Sequence, residues 1–532
     1  MLRFPKGGRI MSGLYGKKRR PRSASGASMI RGIGRVNRRG SHGRSSGSIL
    51  PTSSSRRRHA RSSKPRRRLL DGINQQRLRK IIIIGAFSVV ALIGLVIIIV
   101  SANTGGKELE SSVIENDSSG TVITAEDTGA TLTLAFGGAV KLQDSIIDAA
   151  RMGEGYDFNN YLSELTPVMS ADISIVNLLG SVDAKGGDAE LSGYPKPNYP
   201  AQLAPALKNI GVTHAVVANS QALQSGFEGL SSTIDNLAAN DITALGGFKN
   251  AETGSTVYVK RMNSISVGIG AYNCLTDSAC NDLINGQLAA GVTTDQLSYC
   301  INQVSYSTSR TEGGKSYSAA SDVITKDVEA MRAAGAQFVI ICLNWGSAST
   351  TTPVSEMGNL AQRLIDLGVD VTLGGGSDVA QKVTVREHTN DDGTKKKCYV
   401  FYSLGNLLSD CDSGHTEEKQ AGMVVNMTLE RAAGEKTVSV ASVVYHPVYI
   451  NHDSSYEDNN THLKYRSMPA AKYYYAESLP DVFSSKSQWQ SCKKSFDRIK
   501  SLVGDSLQAG SLVGDDDAGA VQGGDVGGAD ML

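Results

Sequence analysis

The sequence predicts an α/β domain that follows a single membrane-spanning segment. From residue 131 onward, short apolar stretches alternate with amphipathic stretches of helical period, which is typical of an α/β fold with functional groups on strand-end loops. Before that domain, residues 81–100 read IIIIGAFSVVALIGLVIIIV and contain no charged residue. A helix of that length spans about 30 Å, which matches the hydrocarbon core of a bilayer.

The charge of the chain differs sharply on the two sides of this apolar run. The whole chain contains 54 Lys and Arg residues and 52 Asp and Glu residues. Residues 1–80 contain 24 of the basic residues and one of the acidic residues, Asp71. The rest of the chain therefore contains 30 basic and 51 acidic residues, a net charge of −21, although the whole chain sums to +2. Such asymmetry predicts two compartments or two partners rather than one uniform surface.

Residues 1–80 form a basic tail that is rich in Arg, Ser and Gly, a composition that predicts disorder. Clusters such as Arg56–Arg58 and Arg66–Arg68 suit contact with anionic lipid, and a cytoplasmic protein partner is the alternative. Arg clusters also neutralise phosphate, but Phe4 and Tyr15 are the only aromatic residues in the tail. Stacking on bases is therefore unsupported, and nucleic acid is disfavoured as a partner.

The apolar run 81–100 is interpreted as an uncleaved signal anchor. The alternative is a cleaved signal peptide, whose apolar region is normally shorter and nearer the N-terminus, although Val100–Ala102 has the small residues of a cleavage site. Because Arg77, Arg79 and Lys80 lie on one flank, the positive-inside rule places residues 1–80 in the cytoplasm and the C-terminal part outside. We therefore expect a single-pass protein of the cell membrane of a Gram-positive bacterium.

The part of the chain beyond the membrane segment divides by composition and pattern. Residues 131–410 carry the alternation of strands and helices, with a β-rich extension to about residue 470. The other predicted segments are a polar extracellular spacer (101–130), a C-terminal segment (471–502) and a flexible, acidic, Gly-rich tail (503–532). The predicted strands are Thr131–Phe136, Ile173–Asn177, Ala215–Ala218, Ser264–Ala271, Phe338–Leu343, Val369–Leu373, Tyr399–Ser403, Gly422–Leu429 and Thr437–Tyr449.

Six short segments at the ends of predicted strands carry a family resemblance. They are Ala135–Gly138, Ile175–Leu179, Val217–Gln221, Leu343–Gly346, Gly374–Asp378 and Tyr402–Asn406. In that order they resemble the loops of the capsule-synthesis CapA (poly-γ-glutamate) family, whose fold is similar to calcineurin-type metallophosphatases. The resemblance implies an α/β/β/α sandwich over about residues 131–410, a metal site of hydrolase type, and a role in capsule synthesis or export.

The chain departs from the family at nearly every metal-ligand position. The family loops read roughly G-D, N-L-E, A-N-N-H, H-W-G-x-E-Y, G-H-H-P-H and S-L-G-N. At the implied ligand positions this chain has Gly138, Leu179, Asn219, Asn344, Gly375, Gly376 and Asp378. A dinuclear centre needs about six Asp, Glu, His or Asn donors, and only Asp378 is anionic here. We therefore expect a pseudoenzyme without catalytic residues, metal or cofactor.

Two other functions stay open at this point. The first is a metal-dependent hydrolase, acting on phosphoesters or poly-γ-glutamate, whose rebuilt site around Asp378 binds Mn, Fe or Zn. The second is a purely structural membrane-anchored protein. If the six loops converge, restoring acidic and His side chains at the altered positions should raise the affinity for divalent ions.

The loops keep amide and hydroxyl side chains, which donate and accept hydrogen bonds and suit sugar hydroxyls or peptide bonds of an envelope polymer. The alternative is that these side chains satisfy loop backbone and helix ends. Trp345 either stacks on a sugar or packs beneath its loop. The candidate ligand-binding residues are Asn177, Asn219, Ser220, Gln221, Asn344, Trp345, Asp378 and Asn406.

All seven cysteines follow the apolar run, where disulfides are stable. Pairing among Cys274, Cys280 and Cys300, or between Cys398 and Cys411, is open, whereas Cys342 is expected to be a small buried hydrophobic residue. The outer histidines fall outside the motif positions, and each is expected at the surface or a strand edge. They are His214, His388, His415, His446, His452 and His462.

Overall fold

The structure is a computed structural model that describes residues 128–183, 190–254, 256–347, 350–411, 416–456 and 464–510, all within one compact unit. The basic tail, the run 81–100, nearly all of the spacer and the tail from residue 511 lie outside the described residues, so the expectations for them stay predictions. Among the helices that the structure describes, none is long and apolar enough to cross a membrane.

Two mixed sheets form the centre of the domain. The nine-stranded sheet has the spatial order Tyr465–Pro469, Ser439–His452, Ala421–Arg431, Ala130–Val140, Ile173–Leu178, His214–Val216 and Thr243–Leu245, with Asn406–Leu408 beside Ala130–Val140 and Gln508–Ala509 beside Ser439–His452. The seven-stranded sheet has the order Gln303–Ser305, Ile265–Leu275, Phe338–Asn344, Val371–Gly375, Lys395–Phe401 and Val383–Thr389, with Tyr258–Met262 beside Ile265–Leu275.

The loops of interest follow strands that run in parallel. In the nine-stranded sheet the four strands from Ala130–Val140 to Thr243–Leu245 are parallel. In the seven-stranded sheet the five strands from Gln303–Ser305 to Lys395–Phe401 are parallel. Parallel strands have their carboxyl ends at one edge of a sheet, so polar residues that follow them come close together.

Alternating side chains of the strands separate an inner core from two outer cores. In Phe338–Asn344, the side chains of Phe338, Ile340 and Cys342 lie in the core between the two sheets. Those of Val339, Ile341 and Leu343 lie on the other face, in a core shared with the helices 319–333 and 355–366. A third core packs helices against the outer face of the nine-stranded sheet. The layers are therefore helix, sheet, sheet and helix.

The helices cover the two outer faces and the C-terminal end. Helix Lys486–Val503 places Ile499 and Val503 in the inner core, so the predicted C-terminal segment is part of the domain. The described α-helices are Asp144–Ala149, Asn159–Leu162, Thr166–Met169, Leu203–Asn209, Gly226–Ala238, Ala251–Gly254, Asp277–Ala289, Thr294–Leu297, Ala319–Ala333, Ser355–Asp366, Thr416–Lys419, Ala471–Tyr474 and Lys486–Val503.

The predicted mixed α/β fold is confirmed, whereas the suggested disulfides are wrong. All seven cysteines lie within the described residues, and all are free and buried. Burial in apolar surroundings disfavours the thiolate, and it raises the pKa of Cys342 to about 12. Cys342 is 2% exposed, as expected for a small hydrophobic residue of a strand.

Candidate functional site

Most of the altered ligand positions converge on one pocket at the carboxyl edge of the two sheets. This pocket, here called the Lys141 pocket, has a volume of about 200 Å³. Next to it, a small cavity of about 30 Å³ has room for about one water molecule. Asn344 lines both spaces. The pocket is lined by Lys141, Leu179, Tyr194, Ser220, Gln221, Leu275, Asn344, Gly346, Ser347, Gly376 and Asp378, and the cavity is lined in part by Gly138, Asn177, Gly375 and Gly405.

The charged centre of the pocket is a buried ion pair. The Nζ atom of Lys141 lies 3.0 Å from both carboxylate oxygens of Asp378. Both residues are 7% exposed, and the ammonium group also lies 4.0 Å from the centroid of the Tyr194 ring. Asp378 is the one carboxylate among the positions implied by the resemblance. Its counter-ion is therefore a side chain of the same domain, held where a cation would have to approach.

Amide groups beside this ion pair keep unused hydrogen-bonding capacity. Asn344 and Asn273 are paired across adjacent parallel strands, and the Nδ2 of Asn344 donates to the Oδ1 of Asn273 at 3.1 Å. The Oδ1 of Asn344 and the Nδ2 of Asn273 are buried without a protein partner, as are the Oδ1 of Asn177 and the Oε1 of Gln221. Buried polar atoms are normally paired, so these amides indicate a place for ligand or water groups.

Two other candidate residues hold loop backbone and do not line the pocket. Asn219 donates from Nδ2 to the carbonyl of Leu178 and accepts from the backbone N–H of Gln221, so its amide holds a strand-end loop. Asn406 donates from Nδ2 to the carbonyls of Asp378 and Lys419. Both are 1% exposed. The prediction that Asn219 and Asn406 bind a ligand is therefore corrected, because their amides stabilise loops.

The prediction that Trp345 binds a ligand is also corrected, because this residue packs beneath its loop. Its exposed fraction is 4%, and its indole N–H donates to the carbonyl of Tyr402 at 2.9 Å. The two rings stack with centroids 5.6 Å apart. A ring held in this way has no free face for a sugar. Tyr194 is the aromatic residue among the described lining of the pocket, and it is 39% exposed.

Two glycines of the site are packed against backbone, and these contacts oppose the expected restoration of ligands, which stays a prediction. A Cβ atom on Gly138 would lie 2.3 Å from the carbonyl oxygen of Gly405. A Cβ atom on Gly376 would lie 2.8 Å from the carbonyl oxygen of Gly346, and the φ angle of Gly376 is +91°. Asp at 138 or His at 376 would therefore displace the loops themselves.

The residues present do not fit a dinuclear metal centre. The described residues contain no group of three or more His, Cys, Asp and Glu side chains that could hold a metal ion. At the site itself Asn177 and Asn344 offer neutral oxygens, and the carboxylate of Asp378 is already paired with an ammonium group. Neutral amides compensate poorly for the dehydration of a divalent ion, and the charge of Lys141 repels it.

The histidines do not supply the missing ligands, and two of them are not surface residues. His214 is 3% exposed within a central strand, and its Nε2 lies 3.0 Å from the Tyr258 hydroxyl. His446 is 7% exposed. Burial, which disfavours the charged imidazolium, lowers the pKa of each to about 4. Both are therefore neutral residues of the strands at neutral pH. His415 and His462 lie outside the described residues.

Three residues of the site are absent from the sequence-based candidates. Lys141 follows the first strand of the domain and pairs with a residue 237 positions away. Tyr194 lies on a loop without a regular pattern, and Asn273 lies near the end of the strand Ile265–Leu275. The signal for Lys141 and Asn273 is a polar residue near the carboxyl end of an apolar strand. The sequence carries no comparable signal for Tyr194.

Comparison with known proteins gives an informative match to a family profile. The sequence profile described as "Bacterial capsule synthesis protein PGA_cap" matches residues 133–411, just over half of the chain. No curated protein matches the sequence. Among solved structures, a hypothetical protein from Thermus thermophilus aligns at 9% identity over 59% of this chain and 98% of its own, with a TM-score of 0.32. That structural similarity is too low to carry an argument.

Proposed function

Because the chain belongs to the bacterial capsule synthesis family PGA_cap, we propose that it is a non-catalytic binding module for a polymer of the cell envelope. The ion pair between Lys141 and Asp378 is the observation that supports this proposal most strongly. Metal-dependent hydrolysis requires a cation that activates water, and the equivalent region here contains an ammonium group and neutral amides. The four-layer arrangement supports a fold of the metallophosphatase type, with its metal chemistry lost.

The remaining groups of the pocket suit recognition. Ser220, Gln221 and Asn344 present hydroxyl and amide groups within a volume of about 200 Å³. Such groups bind hydroxyls or peptide bonds through paired donors and acceptors, and they do not supply a nucleophile with an adjacent base. Leu179 adds an apolar wall where the family has an acidic ligand. A recognition groove is therefore favoured over a rebuilt hydrolase.

The catalytic alternative is tested with the full-length protein in detergent. Phosphodiester substrates and poly-γ-glutamate are incubated with it in the presence of Mn²⁺, Fe²⁺ or Zn²⁺, and envelope polymer is offered in a parallel binding assay. The proposal expects retention of envelope polymer without hydrolysis. Turnover that depends on Asp378 and on one of these metals would replace it by the rebuilt hydrolase. Unchanged envelope polymer in cells that lack the domain would favour the purely structural role.

The proposal includes a membrane anchor and an extracellular domain. It rests on the uncharged run 81–100 and on the 24 basic residues that precede it. Protease added to intact cells should digest the chain beyond about residue 105 and spare the basic tail, which cell lysis then exposes. Release of the whole C-terminal part into the medium would instead indicate cleavage near Ser101.

A further inference from the structure

A larger space lies near the Lys141 pocket, and two loops line both. The second space, here called the outer pocket, has a volume of about 550 Å³. The loop that supplies Tyr194 to the first pocket supplies Ser192 to the second, and the loop that supplies Gln221 to the first supplies Gln224 to the second. Because each loop lines both spaces, the two pockets are neighbours, and together they are here called the groove.

The walls of this groove carry little positive charge for a ligand. In the first pocket the ammonium group of Lys141 is held by Asp378. In the outer pocket Lys196 is opposed by Glu190 and Glu228, a net charge of −1 among the described lining residues. The family-matched region 133–411 contains 18 Lys and Arg against 28 Asp and Glu. A polyanion needs Lys or Arg donors along its path, and it would be repelled here.

Uncharged polar groups line the rest of the groove. Ser225 and Gln296 line the outer pocket together with Gln224, and Phe227 adds an apolar surface. In the first pocket, the unpaired Oδ1 of Asn344 is an acceptor on a residue that is 3% exposed. Amides and hydroxyls match the mixed donor and acceptor pattern of sugar hydroxyls, and aromatic rings match the apolar faces of sugars.

We propose that this groove binds an extended, uncharged glycan, with the outer pocket as a second subsite, and that it excludes polyanions such as poly-γ-glutamate. The inference rests on the proposed function, because it specifies the polymer that the module binds. It narrows the ligand to one class by charge, and it assigns a role to the outer pocket of about 550 Å³ near the Lys141 pocket.

The test uses the full-length protein in detergent and three probes. These are oligosaccharides of graded length from the neutral fraction of envelope polysaccharide, its anionic fraction, and poly-γ-glutamate. The neutral fraction should bind more tightly than either anionic probe by at least about tenfold, and long neutral oligomers should bind more tightly than short ones. Preference for the anionic fraction or for poly-γ-glutamate would overturn the inference while leaving a polymer-binding function in place.

Two variants separate the subsite from the pocket. Gln224 is exposed, so Gln224→Trp fills the outer pocket without disturbing the core, whereas Gln362→Trp places the same ring on an exposed helix face as the control. Gln224→Trp should weaken binding of long neutral oligomers about tenfold and leave short ones unchanged. Equal binding of long oligomers by both variants would remove the outer pocket from the proposal.

Charge reversal gives a gain-of-function test. Glu190 and Glu228 are both exposed, and Glu190→Lys with Glu228→Lys changes the net charge of the outer pocket from −1 to +3. The double variant should gain affinity for poly-γ-glutamate relative to the wild type. Unchanged exclusion of poly-γ-glutamate would show that charge in this groove does not select the ligand. Failure of every probe to bind the wild type would instead contradict the proposed function itself.

Discussion

Two buried carboxylates lie beyond opposite ends of the strand Val371–Gly375, and they are neutralised in different ways. Asp370, before the strand, accepts hydrogen bonds from Arg332 at 2.9 Å and from Lys396 at 2.6 Å. It also accepts from the backbone N–H of Val339 at 2.8 Å. Its two oxygens are thus occupied by three donors from neighbouring elements, and no cavity adjoins it among the described pockets.

Asp378, after the strand, has one cationic partner and an open space beside it. Both of its oxygens are shared with Lys141, and both residues line the pocket of about 200 Å³. Burial of a charge therefore does not by itself indicate a functional site, since both carboxylates are buried and only Asp378 lines a described pocket. At the amino end of the strand, the carboxylate of Asp370 connects two strands of the sheet and a helix through hydrogen bonds. At the carboxyl end, the carboxylate of Asp378 fixes an ammonium group within a ligand-sized space.

The largest effect on stability is expected at Asp370, at the amino end of the strand. Asp370→Ala should lower the free energy of unfolding by about 3–5 kcal/mol, because two cations and a buried backbone N–H lose their acceptor. Denaturant unfolding of the purified protein measures this change. The matched control is Asp235→Ala, which removes an exposed ion pair with Lys249 and should change stability by less than about 1 kcal/mol. Equal effects of both variants would contradict the contrast between buried and exposed pairs.

A smaller loss is expected at the pocket end. Lys141→Met should lower the free energy of unfolding by about 2–3 kcal/mol, because the carboxylate of Asp378 is left buried, with only the pocket to admit water. The double variant Lys141→Met with Asp378→Leu removes both charges and should recover most of that loss. Denaturant unfolding of the two single variants and the double variant completes the cycle. Additive losses would mean that the two side chains do not depend on each other.

The smallest effect on stability is expected from two buried histidines that stay neutral in the folded protein. The pKa values of His214 and His446 are lowered to about 4 by burial, so between about pH 6.5 and pH 4 the unfolded chain binds protons that the folded chain does not. Stability should therefore fall as pH falls through that window, by about 1 kcal/mol per histidine at pH 5.5. Replacement of both histidines by Gln should reduce the change in the free energy of unfolding with pH over that range. An unchanged pH dependence would assign the effect to other groups.

The sequence was sufficient for the central strands of the two sheets, because these strands have a compact apolar signal. Thr131–Phe136 was predicted where Ala130–Val140 is observed, and Phe338–Leu343 where Phe338–Asn344 is observed. Strands exposed on one side, such as Val383–Thr389, lack that signal and were missed.

The candidate site was predictable only in part. Strand-end position brought Asn344, Gln221 and Asp378 together correctly, because topology fixes where parallel strands end. The sequence could not separate amides that line a pocket from those that hold a loop, because Asn219 and Asn344 have the same chemistry and differ only in their partners. Lys141 was missed since its partner becomes a neighbour only after folding.

The proposed loss of metal chemistry depends on the ammonium group of Lys141, which lies beside Asp378 where a metal ion would have to bind. Elemental analysis and Mn²⁺ or Zn²⁺ titration of the full-length protein, with Lys141→Ser and Lys249→Ser as the test and control variants, address it directly. The wild type and Lys249→Ser should contain far less than one equivalent of metal, and Lys141→Ser should bind the ion more tightly, since a like charge is removed. One tightly bound equivalent in the wild type, unchanged by Lys141→Ser, would contradict the account.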